Sequence, residues 1–243
     1  MPEKLYKVET HLHTSQVSQC APDSAEQMVG AFLRAGFDAI IVTDHFVLDR
    51  DDTAGKTWEE LVELQQKGYK AAVEAAEGTS LKVFFAWEMS CARGEDYLTY
   101  CLGPDFLLAH PELPSLDTRA YCALCRTSGG FVIRAHPYRH CSYIPSNPTI
   151  DETIVDGIEV VNGAWNDKDN ENAQVMAWAK AHPEVPRTSG TDIHRTEFCG
   201  TSGVALREPL TDLRQYAEAV KARRNYLIID GRVCDQDGVP LED

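Results

Sequence analysis

Apolar, β-branched and aromatic residues gather in short runs along the chain, separated by longer stretches in which apolar positions recur three or four residues apart. The short runs read as strands: Tyr6–Thr10, Ala39–Thr43, Val83–Trp87, Tyr97–Leu102, Phe131–Ala135, Gly157–Val161, Arg187–Gly190, Gly203–Leu206 and Tyr226–Ile229. Several are apolar almost throughout, as strands covered on both faces are. The intervening stretches read as helices with recognisable starts. Ser24-Ala25-Glu26-Gln27 and Thr57-Trp58-Glu59-Glu60 each fit a capping box, in which the first and fourth residues satisfy each other's free backbone donors. Met28 with Phe32, and Val175 with Ala179, are spaced to face a core, and Gly36 and Gly78 stand where a helix would end. This alternation predicts an α/β fold with a parallel sheet, either closed into a barrel or open and doubly wound. No repeat, low-complexity tract or Gly/Ser linker divides it, so residues 1–243 are expected to form one domain.

Composition narrows the class. A hydrophobic fraction of 43% and a charged fraction of 25% suit a water-soluble globular chain, and no apolar run approaches the roughly 18 residues of a membrane span. The polar opening Met1-Pro2-Glu3-Lys4-Leu5-Tyr6-Lys7 lacks the apolar stretch of a secretory signal and predicts a cytoplasmic protein. A net charge of −15 argues against a broad electrostatic footprint for nucleic acid, so any phosphate group must be met by local cations. Eight cysteines lack both the density of a disulfide scaffold and the paired spacing of a structural zinc site. Most are expected to be buried thiols, including Cys122 and Cys125 in a helix-like stretch.

The polar residues carry the chemistry. His11-Leu12-His13 follows the first run, Thr43-Asp44-His45 the second, Glu88 the third, His136 the fifth, and Asp192-Ile193-His194 the run from Arg187. In a barrel of parallel strands the C-terminal ends converge on one face, bringing together residues far apart in sequence. His11 and His13 are two apart, so on a continuing strand both side chains leave the same face and can share one ion. Any one of these residues could be a loop histidine or a capping aspartate. As a set they point to a metal centre, because buried charged groups are costly unless a metal or counter-charge compensates them.

This ordered set of His11-Leu12-His13, Thr43-Asp44-His45, Glu88, His136 and Asp192-Ile193-His194 resembles the PHP family (polymerase and histidinol phosphatase), from Val8 to about Gly203. The resemblance implies a distorted (β/α)7 TIM-like barrel and a phosphoesterase site with two or three divalent ions, zinc, manganese or iron. Position by position, it implies that His11 and His13 hold one ion with Asp192 and Glu88, and that Glu88 bridges to a second ion bound by His136. His45 and His194 match the third position, and Asp44 would orient a neighbouring ligand.

Two stretches depart from the family pattern. Ser18-Gln19-Cys20 stands where an acidic residue or histidine commonly completes the third site, so two ions are expected to be held firmly and the third in part. Cys20 is open to two readings, a buried or free thiol and a ligand for a soft ion. After Glu88, Gly94-Glu95-Asp96-Tyr97 replaces a commonly found histidine, and Asp96 is the natural substitute ligand, its other reading being a turn aspartate. Arg139 and Arg195 are candidates to clamp phosphate oxygens, and His194 is also a candidate proton donor to the leaving group. His110, His140 and His182 stand in loop-like contexts and are expected to be structural or exposed.

The activity so implied is hydrolysis of a phosphate ester, a small phosphorylated metabolite or a nucleotide, by metal-activated water without a protein nucleophile. A related barrel hydrolysing an amide or lactone is the alternative enzyme, although the carboxylated lysine common there has no counterpart at a strand end. A metal-binding module without turnover is the alternative of another class. Substrate choice is expected to lie in the loops Leu48–Lys56, Ala92–Glu95 and Tyr138–Thr149.

Overall fold

The run expected over Val83–Trp87 is two strands rather than one, and that break shapes the architecture. The computed structural model describes residues 4–47, 51–91, 94–140, 150–163 and 171–242. In it, β3 (Lys82–Phe85) and β4 (Trp87–Ser90) lie in different sheets, the chain passing between them at Ala86. The first sheet combines β3 with β1 (Tyr6–Leu12), β2 (Ala39–Val42), β9 (Ser202–Leu206), β10 (Tyr226–Ile229) and β11 (Arg232–Cys234), in the order β11-β10-β9-β1-β2-β3. The second is ordered β4-β5-β6-β7-β8, with β5 at Asp96–Tyr100, β6 at Phe131–Arg134, β7 at Gly157–Asn162 and β8 at Arg187–Gly190.

Both sheets are mixed, which corrects the expectation of a parallel one. Strands β1, β2 and β3 run parallel, as do β6, β7 and β8, whereas the remaining neighbours are antiparallel. Connection length explains part of this. The turn from Ser90 to Asp96 is too short for a crossover, so β4 and β5 pair as a hairpin. Asp230 and Gly231, with φ of 48° and 75°, form a two-residue turn of the kind that joins antiparallel neighbours, here β10 and β11. The expected barrel is corrected as well: among the described residues no ladder of hydrogen-bonded strands closes on itself. The two sheets are joined by single parallel bridges, Leu12 with Ile193 and His45 with Glu88.

Helices alternate with the strands as the apolar spacing predicts: α1 (Ala25–Arg34), α2 (Trp58–Gln65), α3 (Lys67–Ala76), α4 (Pro104–Ala109), α5 (Thr118–Thr127), α6 (Asn172–Ala181) and α7 (Leu213–Lys221). Both capping boxes form, Ser24 with Gln27 and Thr57 with Glu60. Met28 and Phe32 of α1 pack with Ala72 of α3 against Ile40 of β2, covering the first sheet. Tyr121, Cys122 and Cys125 of α5 pack with Trp87 and Val132 of the second, which accounts for the Cys-x-x-Cys spacing by burial. Val8, Ile41 and Val204 share a further core with Leu98 and Ile133 of the other sheet and Tyr216 of α7. The two sheets therefore face one another across a common apolar interior. Among the described residues, no helix is long and apolar enough to cross a membrane.

Candidate metal centre

The two bridges between the sheets place the polar clusters side by side. His13 N–H donates to Ile193 O, and Ile193 N–H to His11 O, so the end of β1 is stitched to the loop after β8. Phe46 N–H donates to Glu88 O on the other flank. His11 lies within β1 and His13 just beyond it; both are fully buried, with ring centroids 5.1 Å apart. Glu88 sits inside β4, not past a strand end as expected, because the break at Ala86 starts a new strand.

Glu88 is the hub. Its Oε1 lies 3.1 Å from His136 Nε2 and 3.3 Å from His11 Nε2, while Oε2 lies 2.9 Å from His45 Nδ1 and 3.4 Å from His13 Nε2. Asp192 Oδ1 approaches His13 Nε2 at 3.0 Å and His11 Nε2 at 3.4 Å. Three overlapping groups result, His11–Glu88–His136, His11–His13–Asp192 and His13–His45–His194, each with its donor atoms within 4.8 Å of one another.

Residues behind these groups fix their orientation. Glu159 Oε1 lies 3.0 Å from His11 Nδ1, and its Oε2 accepts the His136 N–H and the Asn162 amide. A buried carboxylate at that position makes His11 Nδ1 the protonated nitrogen and leaves Nε2 as the ligand atom. Asp44 acts at one remove. It accepts from Thr14 N, Thr14 Oγ1 and Ser18 Oγ, and Ser18 Oγ lies 3.1 Å from His13 Nδ1. With its only proton given to Asp44, Ser18 must accept from His13, so His13 likewise offers Nε2. Asp44 thus orients His13 through Ser18, where the sequence suggested that it orients its own neighbour. Two glycines permit this packing. A Cβ at Gly190 would lie 2.6 Å from the His11 Cβ, and one at Gly68 would lie 2.2 Å from both Asp44 Oδ2 and Thr14 Oγ1.

Electrostatics favour a cation at the centre. Burial pushes His13 well below its ordinary pKa, reinforced by His45 and His194, so it is a neutral donor. At His11 burial is outweighed by Asp192, Glu159 and Glu88, whose charges raise it well above the ordinary value. Asp192 is held well below the carboxylate range, burial being outweighed by His11 and Arg139, and Glu88 likewise by His11 and His45. Nevertheless His11 Nε2, His13 Nε2, His136 Nδ1 and Glu88 Oε2 are buried without a hydrogen bond. Imidazole and carboxylate groups gathered away from water, with polar atoms left unsatisfied among them, are the donor set that suits zinc, iron or manganese. The residues present therefore fit divalent ions.

The remaining sequence candidates surround this core. Asp96 opens β5, accepts from Ser90 Oγ at 2.5 Å and comes within 3.7 Å of His136 Nε2, with burial and Glu88 both raising its pKa. Arg139 donates to Asp192 Oδ2 at 2.5 Å and to Asn162 Oδ1 at 3.1 Å, so it grips a carboxylate of the centre. Arg195 is exposed beside His194. His194 Nδ1 is 2.9 Å from Asp192 O, and its Nε2 is 3.1 Å from Cys20 Sγ, so a proton passed from His194 must leave from the Cys20 side. Cys20 is exposed, not the buried thiol of one reading. Of the seven described cysteines, only Cys122, Cys125 and Cys234 are buried. His110 pairs with Glu112, His182 stacks on Trp178, and the exposed His140 lies 3.8 Å from Glu171, all outside the three groups. Residues 48–50, 92–93 and 141–149 of the expected specificity loops lie outside the described residues.

Neither a family model nor a curated protein matches the sequence. Solved structures do match. A two-domain protein from Bacteroides vulgatus containing a predicted PHP-like metal-dependent phosphoesterase superposes with a TM-score of 0.69 at 16% identity, over 95% of this chain and 66% of that one. The chain has the PHP-like fold. PsfC from Pseudomonas syringae gives 0.64 at 18% identity, covering 94% and 92% of the two chains. The lesion-specific endonuclease PfuEndoQ from Pyrococcus furiosus gives 0.57 at 13%, covering 90% and 56%. The chain thus spans about two thirds of the Bacteroides protein and little more than half of the endonuclease. On this PHP-like scaffold the missed residues are Glu159, Asn162 and Gly190; a lone carboxylate inside the apolar run Gly157–Val161 was the signal for the first.

Proposed function

We propose that the chain is a metal-dependent phosphoesterase that hydrolyses a small phosphorylated metabolite or a nucleotide at the centre around Glu88. One observation carries this reading: a single buried carboxylate within 3.4 Å of the imidazoles of His11, His13, His45 and His136. His11, His13, Asp192 and Glu88 would hold one ion and Glu88 with His136 a second, Asp96 being close enough to His136 to join it. Bound divalent ions offset the charge of a phosphate and lower the pKa of coordinated water, which is what hydrolysis without a protein nucleophile requires.

The chain's own residues supply position and charge. Arg139 holds the outer oxygen of Asp192, turning the other oxygen toward His11 and His13, and so acts as a positioning residue. Arg195, exposed on the rim, is the guanidinium we assign to the incoming phosphate. With His194 Nε2 turned to Cys20, the proton for the departing oxygen comes from solvent on that exposed side. The excess of 15 negative charges makes a small substrate a better fit than a nucleic acid duplex. Protein loaded in turn with zinc, manganese and iron and offered an aryl phosphate beside the matching aryl carboxylic ester tests the reading. Phosphate turnover that chelation abolishes is expected. Turnover of the ester alone would transfer the protein to the amide and lactone hydrolases, and inertness with full metal content would make it a binding module.

A further inference from the structure

The outer side of the centre holds a thiol that the metal reading above does not use. Cys20 Sγ lies 3.1 Å from His194 Nε2. The loop carrying it is anchored from below: Ser18 Oγ donates to Asp44 and accepts the His45 N–H, Ser18 N–H donates to Thr14 O, and Ala21 N–H donates to Ser18 O. Ser18 thus occupies the place where an acidic ligand was expected, but its hydroxyl is spent on Asp44, and the side chain that meets the His194 imidazole is that of Cys20. His13 Nε2, fully buried and without a hydrogen bond, is flanked by the ring of His45 at 4.2 Å and that of His194 at 4.4 Å, and the donor atoms of these three histidines lie within 4.8 Å of one another. His194 has its Nδ1 against Asp192 O and so offers Nε2.

We propose that Cys20 is a metal ligand, its sulfur joining His45 and His194, with His13 as the wall shared with the inner site, in a third position of mixed nitrogen and sulfur donors. The inference rests on the reading that the centre binds divalent ions. Two imidazoles alone leave a zinc-like ion one short of the three protein ligands usual where a coordination position stays open, and a thiolate supplies the third. Sulfur also sets the kind of ion: the inner positions, of imidazole and carboxylate, accept manganese, whereas a thiolate selects zinc, iron or cobalt in its divalent form. Binding releases the thiol proton to solvent.

Metal-free protein titrated with cobalt(II) tests this, because cobalt replaces zinc and reports sulfur ligation by charge-transfer absorption in the near ultraviolet. The wild type should develop that absorption with its last equivalent and then resist alkylation at Cys20. Cys20→Ser and Cys20→Ala should lack the absorption and bind one ion fewer, while still filling the inner positions. A fully loaded wild type without the absorption, or variants that bind as many ions as tightly, would overturn the assignment of Cys20 and leave the inner centre standing. Failure of every protein to bind cobalt would remove the metal centre and the assignment together.

Discussion

Glu159 Oε1 lies 3.0 Å from His11 Nδ1, and both groups are shut off from water. A carboxylate behind a ligand imidazole fixes its tautomer and raises its basicity, and loss of such a partner typically weakens metal binding about 10- to 100-fold. Glu159→Gln keeps the size of the side chain and an oxygen for the His136 N–H. We expect a folded protein with metal affinity lower by that factor, read by titration against a chelator of known strength. Unaltered affinity would show that His11 is held by its packing against Gly190 alone.

The second relay, Asp44 to Ser18 to His13, depends on Gly68. A methyl group there would meet Asp44 Oδ2 and Thr14 Oγ1 at 2.2 Å, far inside contact distance. Gly68→Ala must shift α3 or turn the carboxylate away, and overpacking of this kind costs about 1–3 kcal/mol. Chemical denaturation of the metal-free protein should show a loss of that size. A gain in stability, as expected of alanine at an unconstrained helical position, would mean that the contact is easily relieved.

What was legible in the sequence, and what was not, follows from the range of the interactions involved. The HxH pair, Asp192 and His136 could be marked because each lies at or just after the end of a run read as a strand, and strand order then gathers them. The division into two sheets could not be read, because Val83–Trp87 is continuously apolar and nothing in it marks Ala86 as the crossing point. Likewise β11 is short and half exposed, with no alternation to announce it. Glu159 was hidden inside a run read only for its hydrophobicity. The meeting of Cys20 with His194 joins residues 174 positions apart, a proximity that no local pattern encodes.

Cysteine reactivity separates the exposed thiol from the paired ones. At Cys20 burial raises the pKa, but hydrogen bonds from His194 and His45 and their charge prevail and bring it down to about 6. At Cys125 burial pushes the thiol up to about 12, and at Cys122 it is raised further. In metal-free protein the thiolate fraction of Cys20 therefore grows as pH rises through about 6, whereas Cys122 and Cys125 remain protonated thiols under the same conditions. Iodoacetamide labelling followed by mass spectrometry should find Cys20 modified at pH 7 and the other two untouched. Rapid modification of Cys122 or Cys125 would show that the packing of α5 does not keep them from solvent.

The demand on Glu88 can be tested by counting ions. If it merely accepts charge from the histidines around it, Glu88→Ala should leave the metal count nearly intact, because His11, His13 and Asp192 keep one complete donor group and His45 and His194 stay close to His13. If it bridges, both of its oxygens are lost at once: Oε1 lies between His136 and His11, and Oε2 between His45 and His13. The His136 imidazole would then keep Asp96, at 3.7 Å from its Nε2, which is too little to retain an ion. The alanine side chain also leaves several buried imidazoles without their counter-charge, so the variant should be folded but less stable by about 3–5 kcal/mol, the usual penalty for removing one partner of a buried ionic cluster. We therefore expect Glu88→Ala to lose the ion at His136 entirely and to hold the one at His11 and His13 more weakly. Elemental analysis alongside the aryl phosphate assay checks this, with turnover falling at least as far as metal content. A variant that retains as many ions per chain as the wild type would exclude the bridge and assign the second position to Asp96 and His136 alone.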